Sequence, residues 1–168
     1  MKNGQLSVEK IVKCGVLAAI ACVLTMFPQV PTGTGGYVHF GDSVICLAAA
    51  LMGPVCGAAV GALGHSMADL FSGYAVFVPA TFIIKGVLGF VLGKILYGNI
   101  TKKRLIIGSA AYLLIATLGY FIAEIPLYGV QTAAVALIST PIQCVMGSVV
   151  SYIVIPIAVK FKGRLGFK

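Results

Sequence analysis

Residues 53–71 read Gly53-Pro54-Val55-Cys56-Gly57-Ala58-Ala59-Val60-Gly61-Ala62-Leu63-Gly64-His65-Ser66-Met67-Ala68-Asp69-Leu70-Phe71. Gly53, Gly57, Gly61, His65 and Asp69 recur every fourth residue and so share one helical face. The first half of that face is glycine, which lets another helix approach closely, as in small-x-x-x-small membrane packing. The second half turns to imidazole and carboxylate. A helix that packs tightly at one end and presents polar groups at the other suits a membrane bundle with a cavity near one surface. A structural histidine held by Asp69, one turn on, is the alternative for His65.

The rest of the chain agrees with a membrane setting. Of its 168 residues 60% are hydrophobic and only 10% charged, with a mean hydropathy of +1.06. A soluble domain runs near half apolar and about a quarter charged. One span needs about 20 apolar residues, which leaves room for roughly six and no separate soluble domain. The expected class is an all-α integral membrane protein with spans at about 11–27, 43–52, 54–71, 76–96, 105–125 and 132–159. Segment 43–52 is short for a crossing, 126–131 reads as a loop, and Pro141 and Pro156 are expected to kink the last span. The apolar run after Lys10 and Lys13 superficially resembles a signal peptide, but more spans follow it.

Charge sets the orientation. Eleven of the twelve basic residues fall at the N-terminus (Lys2, Lys10, Lys13), the fourth-to-fifth turn (Lys94, Lys102, Lys103, Arg104) or the C-terminus (Lys160, Lys162, Arg164, Lys168). The loops of the opposite face, 28–42, 72–75 and 126–131, have none. The positive-inside rule puts both termini in the cytoplasm. A basic bilayer-facing rim accounts for the net charge of +8, so nucleic acid is not an expected partner.

The twelfth basic residue, Lys85, lies near the middle of the fourth span. An ionisable group there costs a few kcal/mol and is normally paired or functional. Asp69 and Glu124 are its expected partners; a purely structural salt bridge is the alternative to lining a polar cavity. Asp42 opens a helix, where N-capping competes with ligand contact. Tyr37, His39, Tyr74 and Tyr128 lie at the outer interface, where aromatic belts are ordinary and stacking on a planar ligand is feasible. Gln143 follows Pro141 and is expected to face protein or ligand, because an unpaired amide in lipid is costly.

Several chemistries are absent. No G-x-x-x-x-G-K-[ST] loop occurs (Gly86 to Lys94 comes nearest), nor G-x-S-x-G, nor H-E-x-x-H. No metal-ligand spacing or cofactor motif is seen. The five cysteines (Cys14, Cys22, Cys46, Cys56, Cys144) lie in apolar runs without C-x-x-C, so they read as small buried hydrophobes rather than disulfide or metal partners. Covalent catalysis is not expected.

Gly36-Tyr37-Val38-His39-Phe40-Gly41-Asp42, Leu51-Met52-Gly53-Pro54 with the glycine stripe, Ala68-Asp69-Leu70-Phe71-Ser72-Gly73-Tyr74 and Pro79-Ala80-Thr81-Phe82-Ile83-Ile84-Lys85-Gly86 together resemble the substrate-binding S components of energy-coupling factor (ECF) transporters. The resemblance implies a six-helix protein of the prokaryotic cytoplasmic membrane that captures a vitamin or precursor from outside. It implies delivery through a transmembrane T subunit with two ATPases, by toppling in the membrane. The family's A-x-x-x-A docking motif is matched only loosely, by Gly15 with Ala19 or Ala18 with Cys22. With the polar positions read above, the expected substrate-binding set is His39, Asp42, His65, Asp69, Tyr74, Lys85, Glu124, Tyr128 and Gln143. The loop and the Lys85 segment look closest to groups assigned to hydroxymethylpyrimidine or pyridoxine-type compounds, or to α-ribazole. A carboxylate-bearing vitamin would favour arginine, and Arg104 and Arg164 are both on the cytoplasmic side. The rivals are a stand-alone oligomeric carrier coupled to protons through Asp69, His65 or Glu124, and a membrane assembly protein with no ligand.

Overall fold

The computed structural model describes residues 7–31, 37–161 and 163. Gly36 of the first loop motif and the basic residues Lys2, Lys162, Arg164 and Lys168 lie outside these. The described chain is helical: α1 (Val8–Met26), α2 (Asp42–Met52), α3 (Pro54–Ala59), a π-helical turn (Val60–Gly64), α4 (His65–Phe71), α5 (Val78–Leu96), α6 (Lys102–Ala133) and α7 (Ala136–Lys160). A two-stranded antiparallel ribbon, β1 (Val30–Pro31) and β2 (Tyr37–Val38), follows α1. Three segments, Ala75–Leu96, Lys102–Ala133 and Ala136–Lys160, are long and apolar enough to cross a membrane, and Asp42–Met52 is a shorter apolar helix. α1 carries Glu9, Lys10 and Lys13 in its first two turns.

Local chemistry explains the boundaries. Ser7 caps α1 by accepting from the Lys10 amide (3.3 Å), and Thr101 caps α6 by accepting from Arg104 (3.3 Å). Gly53 has φ +90°, a region favouring glycine, and Pro54 follows at the start of α3; together they close α2 and open α3 without a loop. The expected loop at 126–131 is reduced to a kink: the helix passes through Pro126, is interrupted at Gly129 (φ 79°), where two helical stretches meet, and resumes to Ala133. α7 continues through both Pro141 and Pro156.

The glycine stripe packs α3 and the π turn against α5. A Cβ on Gly57 would lie 2.5 Å from the Gly89 carbonyl oxygen, and one on Gly61 would collide with the Lys85 carbonyl. These backbones touch because neither helix has a side chain between them. Beneath the polar region, Ile45, Ala49, Leu88, Leu92, Tyr112 and Ile155 form the core of α2, α5, α6 and α7. Leu17, Ala21, Val44, Ala48 and Val60 seal α1 to α2 and the π turn.

The cysteine expectation needs correction. Cys14 of α1 and Cys56 of α3 form a disulfide with Cα atoms 5.8 Å apart. The close approach of α1 to the glycine- and alanine-rich third segment brings together thiols 42 positions apart, which no local spacing signals. Cys46 and Cys144 are free and buried; Cys22 is free and partly buried.

Candidate functional site

Helix α2 begins inside the bundle, so its first carboxylate has no water to face. Asp42 is fully buried, and so is Lys85 from α5. The Lys85 ammonium donates to both Asp42 oxygens, at 2.7 and 2.8 Å. Gln143 of α7 donates to Asp42 at 2.6 Å, and the Tyr112 hydroxyl of α6 donates to the same oxygen. His65 Nε2 of α4 stands 3.2 Å from the other oxygen, not aligned as a hydrogen bond. One carboxylate thus joins four helices, and its charge is cancelled by one ammonium. A buried pair of this kind persists because further hydrogen bonds offset its desolvation.

His39 sits on this cluster between β2 and α2. Its Nδ1 accepts from the Gly41 amide (3.1 Å), and its ring lies 5.2 Å from that of His65. Burial, the largest influence, pushes the His39 imidazole well below the ordinary histidine range, and Lys85 and His65 add to the effect against Asp42. The ring is therefore neutral, and with Nδ1 accepting, Nε2 carries the proton. Gly41 belongs to the same contact. A Cβ there would collide with Thr25 Oγ1 and come within 3.0 Å of His65 Nε2.

A cleft lies directly above the cluster. Its floor is His39 and Gln143, and its walls include Tyr37, Asp69, Thr81, Tyr120, Glu124 and Thr140. Non-atom space up to the open mouth is about 500 Å³, of which only about 50 Å³ admits the centre of a water molecule. Tyr37 donates to Asp69 Oδ1 at 2.6 Å; burial, then Asp69, pushes the Tyr37 phenol up from its ordinary value. Thr81 and Tyr120 share a hydrogen bond at 3.2 Å.

The residues singled out in the sequence divide into three groups. His39, Asp69, Glu124 and Gln143 line the cleft. Asp42, His65 and Lys85 lie under it as its sealed base. Tyr74 packs its ring 4.7 Å from that of Tyr37, while Tyr128 is 39% exposed and its ring lies 6.0 Å from that of Phe77, which lines the cleft; neither Tyr74 nor Tyr128 lines it directly. The expected Lys85 partners are corrected: its ammonium bonds Asp42, not Asp69 or Glu124. The N-cap position belongs to Gly41, with no side-chain cap, so the Asp42 carboxylate is free to turn inward. Tyr112 escaped notice because a tyrosine within an apolar helix carries no signal of its own. His39, Asp42 and His65 place ligand atoms within 4.8 Å of one another. Asp42 is already engaged by Lys85, Gln143 and Tyr112, so this trio does not fit a divalent cation.

The chain that carries this site has relatives. Residues 5–160 match the ECF-type riboflavin transporter S component family. The chain belongs to this family. A FolT crystal structure with bound folic acid shares the fold, with a TM-score of 0.68 and 20% identity over 86% of this chain and 92% of that one. An uncharacterized Pyrococcus woesei protein is 32% identical over 129 residues, 76% of this chain and 86% of its own length. A UPF0397 protein of Leuconostoc citreum is 34% identical over 112 residues, 62% of this S component and 59% of that protein. The chain spans about half the length of a Lactobacillus gasseri UPF0397 relative (51%), at 35% identity.

Proposed function

We propose that this S component captures a small vitamin or vitamin precursor in the cleft above Asp42 and Lys85 and performs no covalent chemistry. The carrying observation is the slot itself, where aromatic and polar side chains converge over a base that its own ion pair satisfies. A concave cleft on which a few polar side chains converge is the usual build of a small-ligand site. The matching family is named for riboflavin, and the structural neighbour holds folic acid.

In this reading six helical units cross the prokaryotic cytoplasmic membrane with both termini inside. The cleft opens outward, at the end of the bundle opposite Lys94, Lys102, Lys103, Arg104 and Lys160. Delivery requires a T subunit and two ATPases. Its docking face is the α1 surface of Gly15, Ala18, Ala19 and Cys22, which borders apolar hollows of about 240 and 400 Å³ against Leu63 and its neighbours. Affinity purification of the tagged chain from native membranes tests the assembly. A membrane subunit and ATPases should copurify, and substrate uptake should stop when ATP is depleted. Uptake that continues without ATP and collapses with the proton gradient would favour the stand-alone carrier.

A further inference from the structure

Helix α1 is fastened unevenly. Its second half carries the buried residues Leu17, Ala21 and Thr25, whereas none of positions 8–16 is buried. Val8, Ile11, Val12 and Val16 are 54–77% exposed. Ser7 caps the first turn and Glu9 pairs with Lys13 at 2.6 Å, contacts internal to the helix. Cys14 ties this half to the bundle. It is half-buried, packs against the cluster of Leu17, Val44 and Val60, and is bonded to Cys56.

The bond lies near one end of the bundle. Cys14 is two turns past the Ser7 cap, about 10 Å along the helix, and Cys56 is close to the start of α3. Lys10 and Lys13 mark this as the end assigned to the cytoplasm. A hollow of about 240 Å³ between α1 and α3 is lined by both cysteines, so a thiol can reach the bond without unfolding the chain. Cytoplasmic thiols keep cysteines reduced, and a disulfide within their reach is typically transient or redox-sensing.

Resting on the proposed orientation, we propose that Cys14–Cys56 is a reversible redox site, opened by cytoplasmic thiols, that fastens or frees the first half of α1. A thiolate attacks Sγ of Cys14, the more exposed of the two, and the S–S bond breaks with Cys56 leaving as the thiolate, which takes up a proton. A second thiol releases Cys14 from the mixed disulfide. Two thiols are thus oxidised to one disulfide while the cysteine pair is reduced, and a disulfide of the same class, such as oxidised glutathione, reverses the sequence. Once reduced, positions 8–16 form a short helical stretch without its covalent hold, which frays readily. That stretch includes Gly15, at the edge of the proposed docking face.

The test keeps the full chain in detergent oxidised, or treats it with dithiothreitol, and follows amide hydrogen exchange by mass spectrometry. Reduction should proceed on the folded chain, with Cys14 and Cys56 becoming open to alkylation while the buried Cys46 and Cys144 stay unlabelled. Exchange over 8–16 should then rise about tenfold with 78–96 unchanged, and oxidised glutathione should restore the slow rate. The Cys14→Ser/Cys56→Ser variant should match the reduced wild type, whose own comparison does not depend on it. A bond that opens only on denaturation, or equal exchange over 8–16 in both states, overturns the proposal. A rise that extends to 78–96 overturns it as well, because the bond would then hold the whole fold. In sealed vesicles, membrane-impermeant glutathione should open the bond from the cytoplasmic face, and opening from the outer face alone overturns the assigned side. None of these readouts involves a ligand, so capture in the cleft stands or fails separately.

Discussion

Replacing Lys85 with methionine removes the ammonium and keeps the length of the side chain. Asp42 would then be a fully buried carboxylate whose remaining polar partners are Tyr112, Gln143 and His65. Breaking a buried ion pair from one side typically costs about 3–5 kcal/mol. The two surviving donors place this case near about 3 kcal/mol. At about 2–4 °C per kcal/mol for a chain of this size, melting should fall by about 6–12 °C. Heat-induced labelling of the buried thiols Cys46 and Cys144 with a thiol-reactive dye in detergent reads this directly. The decisive variant is the double, Lys85→Met/Asp42→Asn. An asparagine can still accept from Tyr112 or Gln143 but carries no charge, so the double variant should melt well above Lys85→Met alone. If Lys85→Met melts within about 2 °C of the wild type, or the double is no better than the single, the buried charge does not organise the bundle as argued.

Gly57→Ala should lower the melting temperature, because its methyl meets the Gly89 carbonyl at 2.5 Å and overpacking of this kind costs about 1–3 kcal/mol. Gly15→Ala, with nothing within 4 Å of the new methyl, should be silent in the same melt. Alkylation of the unfolded chain without reductant should modify three cysteines, and with reductant five, the extra two mapping to Cys14 and Cys56. His39 is held neutral below its unfolded pKa of about 6.5. Its contribution is therefore complete above that pH and declines as pH falls through it, because only the unfolded chain takes up the proton. The stability lost between about pH 7.5 and pH 5 should be smaller in His39→Gln, with Asp42, Lys85 and His65 unchanged around it.

What the sequence made legible was whatever repeats along one helix or accumulates along the chain. Hydropathy marked a membrane bundle, and Gly57 and Gly61 announced a close backbone contact four residues at a time. The partner of Lys85 was not legible. Asp42, Asp69 and Glu124 all fall near the same ends of the expected spans, and only the placement of α2 against α5 and α7 makes Asp42 the neighbour. The same holds for Cys14 and Cys56, whose pairing depends on where α1 crosses α3. Tyr112 differs from a belt tyrosine only in having Asp42 beside it, a contact across 70 positions. The stretch 126–131 does hold a break, but a shorter one than Pro126 and Gly129 together suggested, because the helix passes Pro126 and is interrupted at Gly129. Asp42 was ambiguous for a related reason, since a carboxylate at a helix start looks like a cap until its side chain is seen turned into the core.

Whether the cleft above Asp42 holds a small molecule is read most directly by native mass spectrometry of the chain, freshly extracted from cells grown on rich medium. The wild type should carry a bound species of vitamin mass, lost from a variant in which Thr140→Trp fills the cleft while the melt shows the fold intact. An equal amount of the same species on the filled variant would place the ligand elsewhere and refute capture in this cleft.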